Sequence, residues 1–119
     1  MTFTVSLKKN RDFRRLYSGG RTKSGPYLVV YCRKNGTSGN RLGITVSTKL
    51  GSAVRRNRIR RRIKEAYRLG ERDYLPGFDI VIVGRARALG CDFSRLCESL
   101  YSIFEALGIK DEKTAHKDN

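Results

Sequence analysis

Between Ala53 and Arg68 the chain reads AVRRNRIRRRIKEAYR, with seven arginines and one lysine against a single acid, Glu65. Ile59, Ile63, Ala66 and Tyr67 recur at i, i+4, i+7 and i+8, the spacing of one apolar stripe along a helix. Arg58, Arg60, Arg61, Arg62, Lys64 and Arg68 cover the rest of the circumference. Ser52 is placed to cap this helix and Gly70 to end it, which predicts a helix over Ser52–Leu69. A helix of this kind docks by its single stripe and turns its charge outward, so the charge belongs to a folded face and not to a floppy tail. Exposed helices usually mix signs at i,i+4 spacing, and like charges along one face cost stability. A compensating polyanion is therefore expected, and phosphate neutralisation by RNA or DNA supplies one. The planar arginine fork grips two phosphate oxygens at once, which suits folded RNA better than diffuse attraction does. Asn57 is too short to reach far. It can hydrogen-bond a nearby base or ribose, orient neighbouring arginines, or be a surface residue of no consequence.

A length of 119 residues bounds the chain to one domain with a modest core. Lys and Arg number 26 against 11 acids, a formal charge of +15, so nucleic acid is the first candidate partner and an anionic membrane surface the second. No apolar stretch approaches a membrane span, and MTFTVSLKKN is too short in apolar residues for a secretory signal, so a cytoplasmic protein is expected. Cys32, Cys91 and Cys97 form no CxxC pair and read as reduced thiols. The one histidine, His116, lies in a polar tail, and a zinc site cannot be assembled.

NRDFRRLYSGG (Asn10–Gly20) predicts a short helix with Asn10 as its cap and Gly19–Gly20 as its stop; Phe13 and Tyr17 share a face. YLVVYCR (Tyr27–Arg33) reads as a strand with Leu28, Val30 and Cys32 toward a core, and Tyr27, Val29, Tyr31 and Arg33 on the other side. NGTSGN has the composition of a hairpin loop, and RLGITVS alternates behind it, so these two strands are expected to pair antiparallel. FDIVIV (Phe78–Val83) suits a central strand buried on both faces. DFSRLCESLYSIFEALG predicts an amphipathic helix capped by Asp92 and ended by Gly108. Residues 1–109 form the expected domain and 110–119 an expected disordered tail.

Phe13 by itself reads as core. Beside Tyr17, Tyr31 and the cations around them, it can instead belong to a platform for unstacked bases, worth about 1–3 kcal/mol per base. Catalytic chemistry finds little support: the acids are scattered, Asp79 stands alone, Asp111 and Glu112 lie in the tail, and the cysteines lack a histidine partner. A self-sufficient nuclease is not expected.

Arg56-Asn57-Arg58-Ile59-Arg60-Arg61 resembles the RNR signature of the bacterial ribonuclease P protein subunit. Its context, LGITVSTKLGSAVRRNRIRRRIKEAYR, is similar to that family's central strand, loop and helix, and LKKNRDFRRLYSGG to its first helix. The resemblance covers about residues 7–107. It implies an α+β fold, an α/β sandwich of four strands and three helices of the ribosomal-protein-S5-domain-2-like type. It further implies a left-handed βαβ crossover through the basic helix and a short edge strand near Arg21–Ser24. Crossovers are right-handed almost always, so the handedness stands on the resemblance alone.

The resemblance also implies roles. A large RNA would be the catalyst, and the protein would help it hold precursor tRNA while Mg2+, bound chiefly by that RNA, assists removal of the 5′ leader. Arg55, Arg56, Asn57, Arg58, Arg60, Arg61, Arg62 and Lys64 would contact the catalytic RNA. Phe13, Arg14, Tyr17, Tyr31, Arg33 and Lys49 would line a cleft for the single-stranded leader. Phenylalanine is common in the family where this chain has Tyr17; the ring face is kept and a hydroxyl is added. The protein alone would not be catalytic, and any metal it binds itself is left unassigned. The partners would be the ribonuclease P RNA and precursor tRNA, with no membrane and no DNA. A ribosomal protein or RNA chaperone is the alternative, and would have no need of aromatics opposite the core face. A DNA-reading helix fits the broad arginine coat poorly.

Overall fold

The computed structural model describes residues 1–110; the tail beyond, including the disorder expected of it, lies outside the described residues. The strands are β1 (Thr4–Ser6), β2 (Arg21–Ser24), β3 (Leu28–Lys34), β4 (Asn40–Val46) and β5 (Phe78–Gly84). The helices are α1 (Asn10–Gly19), α2 (Ala53–Gly70), α3 (Arg87–Gly90) and α4 (Phe93–Ala106). All five strands form one sheet in the order β1-β4-β5-β3-β2. The α+β class holds, with five strands and four helices among the described residues where four and three were expected. The extra strand, TVS, is too short to show alternation, and the extra helix is a single turn. The edge strand implied at Arg21–Ser24 is present and pairs antiparallel with β3.

The expected hairpin between β3 and β4 does not form. β5 lies between them, antiparallel to β3 and parallel to β4. The reason is burial: Phe78–Ile82 are buried without interruption, so this strand needs a neighbour on each edge and cover on each face. The loop after β3 steps over the start of β5, with the Asn35 N–H donating to the Gly77 carbonyl (2.9 Å) and the Gly77 N–H to the Gly39 carbonyl (3.2 Å). Crossing one strand needs only about 10 Å, within reach of a five-residue loop. α2 joins β4 to its parallel neighbour β5, so the crossover runs through the basic helix.

On one face of the sheet Leu28, Val30, Cys32, Ile80 and Ile82 pack with the α2 stripe (Ile59, Ile63, Ala66, Tyr67) and with Leu96, Leu100 and Phe104 of α4. Ser52 caps α2 by accepting from the Arg55 N–H. The helix sits close because residue 84 is glycine: a Cβ there would lie 2.7 Å from Ile59 Cγ2. The other face carries a smaller cluster, Leu7, Leu16 and Val81 with Phe13, Tyr31 and Val83, under α1. Lys9, not Asn10, holds the cap position of α1, and no side chain caps it. The first turn is pinned instead through Asp12, whose carboxylate accepts from Arg41 of β4. At the C-terminal end, Lys110 bridges to Tyr74, one residue past the expected domain limit.

Candidate nucleic-acid interface

The sheet separates two surfaces. The first is the outer side of α2. Arg55, Asn57, Arg58, Arg61 and Lys64 are exposed, and none of these four cations forms a salt bridge among the described residues. Asn57 acts on a neighbour: its Oδ1 accepts from Arg60 Nη1 at 2.8 Å, one helical turn away, and so fixes the Arg60 fork. Arg56 donates through Nε to the Gly51 carbonyl (3.3 Å), and Arg68 is paired with Glu65. Arg62 is placed differently. Its Nε donates to the Ala88 carbonyl (2.9 Å), its Nη2 to the Cys91 carbonyl, and its guanidinium lies 5.8 Å from the Phe93 ring centre. These contacts tie the α3–α4 turn to the basic helix.

The second surface is the sheet face that α1 leaves open. α1 crosses the sheet with Phe13 over Gly43 of β4 and Tyr17 against Tyr31 of β3, the two tyrosine rings edge-to-face at 5.0 Å. A Cβ on Gly43 would lie 2.6 Å from Phe13 Cε1 and Cζ, so this glycine is the seat of the ring. Past α1, Val29, Tyr31, Thr45 and Val83 stay half-buried, whereas the residues on the opposite side of the same strands are nearly all buried. The result is a cleft with an aromatic wall and an apolar floor. Arg14 flanks it from the exposed side of α1, next to Tyr17 in the helix.

Lys49 and Arg33 do not meet. Lys49 lies in the 3-10 turn after β4, at the open end of the cleft. Arg33 stands level with Asp79 and Arg41, at the opposite end of the strands. The five residues from Arg41 to Val46 alone put about 17 Å between those levels. The same open end gathers Arg85, whose Nη1 donates to the Gly25 carbonyl, and Arg87, 5.8 Å from the Tyr27 ring. Both went unassigned in the sequence, as did Gly43, although a lone glycine inside an alternating strand is a signal of close approach.

Also unforeseen is the clamp that sets α1. Arg41 Nη2 meets Asp79 Oδ2 at 2.5 Å and Arg41 Nη1 meets Asp12 Oδ2 at 3.4 Å; both carboxylates are buried. The bond from Asp79 raises the Arg41 pKa further. Asp79, which stands alone in sequence, is therefore structural. Among the described residues no group of three or more His, Cys, Asp or Glu side chains is placed to hold a metal ion. Burial pushes the Cys32 and Cys97 thiols up, so both are protonated at neutral pH.

A cationic helix on one side of a sheet and an aromatic cleft on the other define an RNA-binding scaffold of the α+β class. Over residues 1–108 the chain matches the family model described as Ribonuclease P. It is 41% identical over 107 residues to the ribonuclease P protein component of Clostridioides difficile (strain 630), covering 89% of this chain and 94% of that relative. The solved RNase P protein of Staphylococcus aureus matches with a TM-score of 0.77 at 33% identity, over 90% of this chain and 96% of that one. The RNase P protein from Thermotoga maritima gives 0.77 at 34% identity, over 85% and 96%. The chain belongs to the ribonuclease P protein family. Its role is that of the protein subunit in tRNA 5′ processing, beside an RNA subunit.

Proposed function

We propose that α2 and the α1 cleft divide the work between two RNAs. Arg55, Arg56, Asn57, Arg58, Arg60, Arg61 and Lys64 contact the RNA subunit, and Arg62 joins them through Nη1, which lies outside its bonds to Ala88 and Cys91. Phe13, Tyr17 and Tyr31 receive the single-stranded 5′ leader of precursor tRNA, with Arg14 and Lys49 at its phosphates; Arg33 serves from the far end of the strands. The carrying observation is the edge-to-face Tyr17–Tyr31 pair beside the half-buried apolar floor on the sheet face that α1 leaves open. Unpaired bases stack on such rings, and a base-paired acceptor stem does not enter the cleft.

The catalytic centre belongs to the RNA, and Mg2+ bound there assists cleavage of the leader. The protein's buried carboxylates on the α1 side, Asp12 and Asp79, are both engaged by Arg41, which argues against their holding the ion. The holoenzyme is cytoplasmic in this reading; no helix of the described residues is long and apolar enough to cross a membrane. Tyr31→Ala tests the cleft. Loss of stacking, about 1–3 kcal/mol, weakens holoenzyme affinity for leader-bearing precursor by roughly 5- to 150-fold and leaves mature tRNA affinity unchanged. Equal losses for both ligands would reduce Tyr31 to a packing residue.

A further inference from the structure

β1 ends early, and what it leaves uncovered is a groove at the sheet edge. The last ladder bond runs from the Leu7 N–H to the Leu42 carbonyl. In a parallel ladder, N–H and C=O of one residue point to the same neighbour and alternate with the next residue. The Asn40 N–H and the Leu42 C=O both point to β1, so those of Ile44 point to the same edge, beyond the end of that strand. Among the described residues neither makes a backbone hydrogen bond there. The groove that opens at this point has a volume of about 520 Å³. One wall is apolar, with Val5, Leu7 and Phe13; the other is cationic, with Arg60, Arg61 and Lys64 of α2. Among the described residues, no acidic side chain lines it.

We propose that this groove holds one unpaired nucleotide of the RNA subunit. Its base lies against Val5 and Leu7 and hydrogen-bonds the Ile44 N–H and C=O, while its phosphate meets the cations of α2. A volume within the range of about 300–1,000 Å³ typical of small-ligand sites suits a nucleotide. The base edge offers the donor and acceptor that the strand edge lacks. Three cations without a carboxylate among them favour a polyanion over a second protein strand, which would bring no phosphate to them. The proposal rests on the reading of α2 as the face for the RNA subunit.

Hydrogen exchange at the Ile44 amide, with and without a bacterial ribonuclease P RNA, tests it. On complex formation the exchange slows at least about tenfold, as for a newly bonded amide. The slowing is absent from Arg58→Glu/Arg61→Glu protein mixed with the same RNA. Unchanged Ile44 exchange in a complex that has formed overturns the groove and leaves the α2 reading standing. Protection that grows with protein concentration in the absence of RNA overturns it in favour of a second copy pairing on β4. If the double variant binds the RNA as tightly as the parent, it is the α2 reading that fails, whatever Ile44 does.

Discussion

Gly43→Ala is a one-carbon change that reaches the aromatic cleft through the seat of Phe13. The added methyl would stand 2.6 Å from Cε1 and Cζ of Phe13. Carbon atoms in contact rest about 3.5–4.0 Å apart, so the ring must retreat by about 1 Å. It has little room, because α1 is held by the Asp12–Arg41–Asp79 clamp and by the fully buried Leu16. Overpacking of this kind costs about 1–3 kcal/mol, and restricting the unfolded chain at a former glycine offsets about 0.4–1 kcal/mol. The net expectation is a loss of about 1–2 kcal/mol, seen as a fall in Tm of about 4–16 °C. A ring displaced by 1 Å forfeits roughly a quarter to a half of its contact energy with a stacked base. Holoenzyme affinity for precursor tRNA should then drop about 2- to 10-fold by the stacking scale, with mature tRNA unaffected. Thermal melts and paired binding titrations provide the assay, and Gly43→Ala/Phe13→Leu should recover part of the stability as a double-mutant coupling. A variant as stable as the parent, with unchanged precursor affinity, would refute the seating of Phe13 on Gly43 and the cleft geometry built on it.

Reversing Arg58 and Arg61 to Glu should abolish RNA-subunit binding at physiological salt with the circular dichroism spectrum unchanged; what binding survives at low salt should show a dependence on log salt shallower by about 1–2. Unchanged binding would remove α2 from the interface. Glu71 gives an acid signature. Burial raises its carboxyl, but hydrogen bonds from Thr4 and from the Thr2 and Phe3 N–H groups outweigh that and hold it below the usual range. A depressed folded-state pKa means the contribution is complete above the unfolded value of about 4.3 and fades as pH falls through the lower folded value. Glu71→Gln should therefore lower Tm at pH 7, by the equivalent of about 1 kcal/mol, and the gap to the parent should close toward pH 3. An equal gap at both pH values would show that β1 is not anchored by this carboxylate.

The elements with long, regular periodicity were legible in the sequence. The α2 stripe at Ile59, Ile63, Ala66 and Tyr67 is buried as its spacing predicts, and so is the Leu28–Val30–Cys32 side of β3. Alternation also placed Tyr31 on the face opposite the core, where it lies under the edge of α1. What failed was long-range order. Neighbouring strands with a turn-like loop between them suggest a hairpin, and only the demand of β5 for two neighbours separates β3 from β4. Arg33 and Lys49 fall at opposite ends of their strands, a separation that strand direction sets. β1 was invisible because three residues hold no period; it is fixed by contacts 60 to 70 residues away, the Thr2 N–H on Glu71 (2.6 Å) and Thr4 Oγ1 on the Tyr67 hydroxyl (2.7 Å). The Arg41 clamp joins residues 12, 41 and 79, and a lone buried acid finds such a partner only in three dimensions.

The division of labour between protein and RNA is tested most directly by reconstitution. Purified protein, freed of nucleic acid, is incubated with precursor tRNA at low Mg2+ with and without a bacterial ribonuclease P RNA, and release of the 5′ leader is measured. The expected result is no cleavage by the protein alone and correct cleavage once the RNA is added. Correct 5′ processing by the polypeptide without RNA would contradict a scaffold that leaves bond breaking to its partner.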